Sequence, residues 1–174
     1  QAGVARTTSP KTETHNAPVV KGNFLRARKS EDAKVSPSWP SLLPVEGYLS
    51  REFERDPFGS SNSHEGIDIA AKQGVAVLAA GEGRVVYAGW HQEFGNLVIL
   101  HHGNDVFSIY GHNERVLVRE REHIKRGAVL ALVGNSGRSS GPHLHFEIWK
   151  DGKAMNPLQI VLALRGSAQG QSTN

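Results

Sequence analysis

Residues 142–149 read PHLHFEIW, and this stretch decides the class of fold. Side chains alternate between faces along an extended chain, so His143 and His145 share one face and Leu144 and Phe146 the other. The stretch is predicted to be a strand with an apolar face and a polar face carrying two imidazoles, a recurrent way to present metal ligands.

Upstream of it lie further short apolar runs broken by glycines: HEGIDIA (64–70), VAVLAA (75–80), GRVVYAGW (83–90), NLVILHH (96–102), DVFSIYG (105–111) and AVLALVG (128–134). Together these predict six or more strands and a mostly β protein. Downstream, Asn156 followed by Pro157 has the form of an N-cap with proline at the first helical position, so PLQIVLAL should close the chain as a short helix. The 174 residues suit one domain with appendages. Residues 1–39 are polar, charged and without a sustained period, and are expected to be a flexible basic arm or linker. Residues 40–164 should be the folded domain, and 165–174 a disordered tail.

The formal net charge of +3 sits entirely in the first fifty residues, because residues 51–174 carry equal numbers of basic and acidic side chains. The charge therefore reads as a solvated tether and not as a nucleic-acid surface. The chain contains no cysteine, so disulfides, thiolate ligands and a cysteine nucleophile are excluded, and any metal must rest on His, Asp or Glu. No apolar run approaches the roughly 20 residues of a membrane helix. An export signal or membrane anchor, if there is one, is expected outside this chain.

Nine histidines have to be sorted by context. In HEGIDIA, His64 and Asp68 share a face whether the segment is strand or helix. Gly66 and the β-branched Ile67 and Ile69 favour a strand, on which Glu65 points away from that pair. Imidazole and carboxylate are both donors that zinc accepts. A third piece, Tyr110-Gly111-His112-Asn113, ends another strand. Each pattern alone is more often a hydrogen-bonded surface or turn feature, and spacing makes His143 and His145 equivalent. Tyr110 is read as a packing residue.

In conjunction, HEGIDIA, YGHN and GNSGRSSGPHLHFEI resemble, in order, the three motifs of the lysostaphin-type or LytM-domain zinc endopeptidases of peptidoglycan, over roughly residues 45–160. The resemblance implies an antiparallel β-sheet or sandwich-like fold with its metal in a groove on the sheet. It implies one Zn2+ per chain held by His64, Asp68 and His145, with His112 and His143 as catalytic histidines outside the metal's ligand set. Three protein donors leave a fourth tetrahedral position for water, whose pKa zinc can lower to ~7. The expected activity is hydrolysis of peptide crosslinks, assisted by the two histidines, in the periplasm, cell envelope or outside the cell. Expected partners are peptidoglycan peptide stems and crosslinks, and other wall-hydrolase or division proteins. Some relatives of this kind are non-catalytic modules that activate other wall hydrolases, and this is the alternative.

Two further motifs compete. Gly137-Arg138-Ser139-Ser140-Gly141 matches the G-x-S-x-G nucleophile elbow, but Pro142 and a strand follow where that elbow needs a helix. The glycine-punctuated hairpins are also found in biotinyl and lipoyl carrier domains, whose modified lysine is missing from AAGEGRV (79–85).

Overall fold

The computed structural model describes residues 38–55 and 63–169, with side chains through 164. It contains β1 (Tyr48–Arg51), β2 (Ile67–Ala70), β3 (Ala76–Leu78), β4 (Gly83–His91), β5 (Gly95–His101), β6 (Val106–Val116), β7 (His123–Ile124), β8 (Val129–Val133), β9 (His143–Lys150) and β10 (Lys153–Met155), followed by helix α1 (Pro157–Gln169). The strands form one antiparallel sheet in the order β1-β2-β9-β6-β5-β4-β7, with β10 beside β9. Beyond Gly111, β6 leaves β9 and pairs with β8, which in turn pairs with β3. The mostly β, antiparallel expectation with a closing helix is met.

Alternation along the central strands gives the sheet two different faces. Ile67, Ile69, Val98, Leu100, Tyr110, Leu144, Phe146 and Ile148 join the larger apolar core on one side. Leu97, Ile99, Phe107, Ile109 and Trp149 join a smaller cluster on the other. On β9 this second face is also the face of His143 and His145, by the two-residue period.

Three expectations need correction. The HEGIDIA strand starts only at Ile67; His64 instead forms an isolated bridge with Glu54, the two exchanging backbone hydrogen bonds of 2.8 and 2.9 Å. Strand alternation therefore does not govern Glu65, which is among the residues lining the groove that holds His64 and Asp68. At the end of the chain, Asn156 Oδ1 accepts from the backbone N–H groups of Leu158 (3.0 Å) and Gln159 (3.4 Å), as an N-cap should. Helix α1 then runs past Leu164 to Gln169, into the expected tail, because residues such as Arg165, Ala168 and Gln169 favour a helix and Gly166 alone does not stop it. At the other end, Ser38, expected in the arm, is bonded to the domain: Ser38 N–H donates to His102 O, and Glu82 N–H to Ser38 Oγ. The arm expected over 1–39 otherwise lies outside the described residues. Among those described, no helix is long and apolar enough to cross a membrane.

Candidate metal centre and its groove

Register assembles the centre. Asp68 on β2 lies directly opposite His145 on β9, and His145 in turn lies opposite Gly111 on β6. A side chain at position 111 would crowd Phe94, 3.1 Å from where its Cβ would sit, so glycine opens the space beside His145. His64 arrives from the neighbouring bridge. The ligand atoms of His64, Asp68 and His145 all fall within 4.8 Å of one another. His64 Nε2 is 3.2 Å and His145 Nδ1 2.7 Å from Asp68 Oδ1, and the two ring nitrogens are 3.3 Å apart.

The outward ring nitrogens show that this donor set fits a metal ion. His64 Nδ1 donates to the Glu52 carbonyl at 2.7 Å, and His145 Nε2 donates to Glu147 Oε1 at 2.8 Å. With those protons placed outward, His64 Nε2 and His145 Nδ1 can turn lone pairs towards Asp68, as metal ligation requires. The electrostatics agree. Burial, the largest influence on Asp68, would raise its pKa, but hydrogen bonds and charge from His145 and His64 hold it well below the usual carboxylate range. Burial would likewise lower His145, yet Asp68 and Glu147 outweigh it and push the imidazole up to about 9. A field that favours an added proton also favours a cation.

His112 and His143 stand beside this cluster with ring centroids 4.7 Å apart. His112 has φ +61°, a left-handed conformation uncommon outside glycine, at the point where β6 changes partner from β9 to β8. Its Nδ1 donates to the Ser136 carbonyl at 2.8 Å; burial, outweighing that bond, pushes its pKa down to about 4. His143 Nδ1 donates to the Gly141 carbonyl at 2.8 Å, and its Nε2 is 3.8 Å from Asp68 Oδ1. In both rings the bond from Nδ1–H leaves Nε2 as the nitrogen that can face a substrate proton. Ser139 of the G-x-S-x-G match lies on a loop and donates its hydroxyl proton to the Gly141 carbonyl at 2.9 Å, so His143 does not activate it. Tyr110 is fully buried in the larger core, its hydroxyl accepting from Ala80 N–H at 2.9 Å.

The structure thus brings His64, Asp68 and His145 into one donor cluster and leaves His143 and His112 alongside. All five line a groove of about 770 Å3 together with Arg51, Glu65, Glu93, Phe94 and Arg138. Sequence reasoning missed Glu147, 1% exposed, which accepts from His145 and, at 2.5 Å, from Trp149 Nε1–H. The two-residue period of PHLHFEIW already carried that signal, since it places residues 143, 145, 147 and 149 on one face.

A groove on an antiparallel sheet thus holds a cysteine-free His/Asp/His cluster flanked by two histidines. Residues 62–157 match Peptidase family M23, and the chain belongs to that family. Among named relatives, it is 44% identical over 119 residues to "Murein hydrolase activator NlpD" of Escherichia coli (strain K12), covering 68% of this chain and 30% of that protein. The chain thus spans about a third of that relative's length. Among solved structures, it is similar to a zinc-containing peptidase from Vibrio cholerae (TM-score 0.63, 27% identity, 71% of this chain and 40% of that one). The catalytic domain of the antimicrobial peptidase lysostaphin from Staphylococcus simulans is similar too (TM-score 0.60, 25% identity, 67% of this chain and 92% of that one).

Proposed function

We propose that this domain acts in the cell envelope as a zinc-dependent endopeptidase on the peptide crosslinks of peptidoglycan, with His64, Asp68 and His145 holding the ion. The observation that carries this reading is the convergence of those three donors with their outer ring nitrogens already bonded. A zinc ion there supplies a Lewis acid for the scissile carbonyl and acidifies water to a pKa of ~7. The remaining work belongs to the chain's own residues. His112 and His143, each with Nδ1–H anchored on a backbone carbonyl, accept and return a proton through Nε2 and stabilise charge developing on the carbonyl oxygen. Phe94, packed against the rings of His112 and His145, walls that side of the groove.

A second reading has a specific observation behind it. The named relative is a murein hydrolase activator, and this supports an activating module, working on other wall hydrolases, more directly than it supports an endopeptidase. The presence of all five histidine and aspartate residues favours the enzyme. Incubation with peptidoglycans of several crosslink types, followed by mass analysis of released fragments, separates the two. New peptide termini that vanish on chelation and return with zinc support the enzyme; binding without new termini, together with stimulation of a separate hydrolase, overturns it in favour of the activator.

A further inference from the structure

Glu147 is a carboxylate buried to 1% exposure in the sheet face that carries the metal donors. Taking such a group out of water costs several kcal/mol unless its oxygens are bonded. Here each oxygen has an N–H donor: Oε1 takes His145 Nε2–H at 2.8 Å, and Oε2 takes Trp149 Nε1–H at 2.5 Å. Gly66 closes over it, so near that a Cβ at position 66 would stand 2.8 Å from Glu147 Cγ. The carboxylate is therefore clamped between the indole of Trp149 and the imidazole of His145.

We infer that Glu147 is a positioning residue of the metal centre: it orients His145 so that Nδ1, and not Nε2, faces His64 and Asp68, with Trp149 holding Glu147 in turn. The inference rests on the metal-site reading of His64, Asp68 and His145. Its reason is geometric. Turning His145 over about its Cβ–Cγ bond exchanges Nδ1 with Cδ2 and Nε2 with Cε1, and a fixed acceptor on Nε2–H selects the rotamer and tautomer that aim the Nδ1 lone pair at the cluster, 2.7 Å from Asp68 Oδ1. On the other histidine the backbone carbonyl of Glu52 does the orienting and brings no charge.

The test compares parent, Glu147→Gln and Trp149→Phe, each prepared metal-free and titrated with zinc at fixed neutral pH against a competing chelator. Glu147→Gln is expected to bind zinc about 10–100-fold more weakly, the usual effect of losing an outer partner of a ligand histidine. Trp149→Phe should lose less, in the same direction. Melting temperatures with and without zinc supply a readout that a purely structural role would not move. The zinc-induced rise should shrink in both variants, whereas a merely structural carboxylate would lower both temperatures and leave the gap unchanged. If Glu147→Gln fails to fold, Trp149→Phe alone decides. Parent-like zinc affinity and an undiminished gap in the folded variants overturn the inference while leaving the metal site standing. Failure of the parent itself to bind zinc overturns the metal-site reading.

Discussion

At the scale of single residues, a strongly perturbed group away from the centre is His102, which is fully buried. Its Nδ1 donates to the Glu82 carbonyl at 2.6 Å, so its Nε2 must accept, and Ser108 Oγ, 2.7 Å away, is the donor. With that proton committed, the Tyr110 hydroxyl donates to Ser108 across 2.8 Å, while itself accepting from Ala80 N–H. A proton added to His102 would break this chain. Burial pushes its pKa down to about 4, against the pull of Glu82. A histidine depressed in the folded state contributes full stability above its unfolded value near 6.5, and that stability is lost as pH falls from about 6.5 to about 4. The loss is on the order of 3 kcal/mol. Urea unfolding at stepped pH should show this slope in the parent and a flatter one in His102→Asn, which keeps a donor for Glu82 but does not titrate. Equal slopes would remove His102 as the cause. At the centre itself, His145→Ala should lose zinc and hydrolysis together. His143→Ala should keep most of its zinc and lose turnover by ~10²–10⁴, the range for an acid–base group. Zinc content and cleavage rate on the same folded preparations check this, and loss of zinc in His143→Ala with retention in His145→Ala would reverse the roles.

At the scale of elements, β2, β9 and β6 must approach closely for Asp68, His145 and Gly111 to meet. Gly66 leads into β2 where a Cβ would fall 2.5 Å from the Phe146 carbonyl oxygen, a backbone atom that cannot swing aside. Gly66→Ala is therefore expected to destabilise the domain by about 1–3 kcal/mol through overpacking, and to weaken zinc binding by displacing β2 from β9. Gly141→Ala, with nothing within 4 Å of its Cβ, should melt close to the parent and serves as the stability control. Equal melting temperatures for the two variants would show that β2 and β9 are not held as tightly as this spacing implies. The alternation of PHLHFEIW made β9 legible from sequence, because each side chain there has one obvious side to face. HEGIDIA was legible only from Ile67 onwards. His64 is placed by a bridge to Glu54, ten residues earlier in the chain, and no local period reports such a contact.

At the scale of the whole molecule, we expect removal of residues 1–37 to leave folding and zinc content intact, since that segment has no core-forming pattern. Removal through residue 39 should cost measurably more, because it deletes the bonds from Ser38 to His102 and Glu82. Thermal melts of the two truncations check the order, and a collapse of the shorter truncation would make the arm part of the domain. Much of this architecture follows from local chemistry alone. Period-two apolar patterns define strands, an Asn-Pro pair starts the helix, and a cysteine-free chain with paired histidines limits the ligands a metal can find. The sequence also narrowed the centre to His64, Asp68, His112, His143 and His145. Spacing left His143 and His145 equivalent and the resemblance alone pointed to His145; the physical reason belongs to the tertiary structure. The two are equivalent along β9, and only the register that sets Asp68 opposite His145, across 77 residues of chain, turns one of them into the cluster. Such register is a property of strands pairing at a distance, with every neighbouring side chain contributing, and it has no local signature to read.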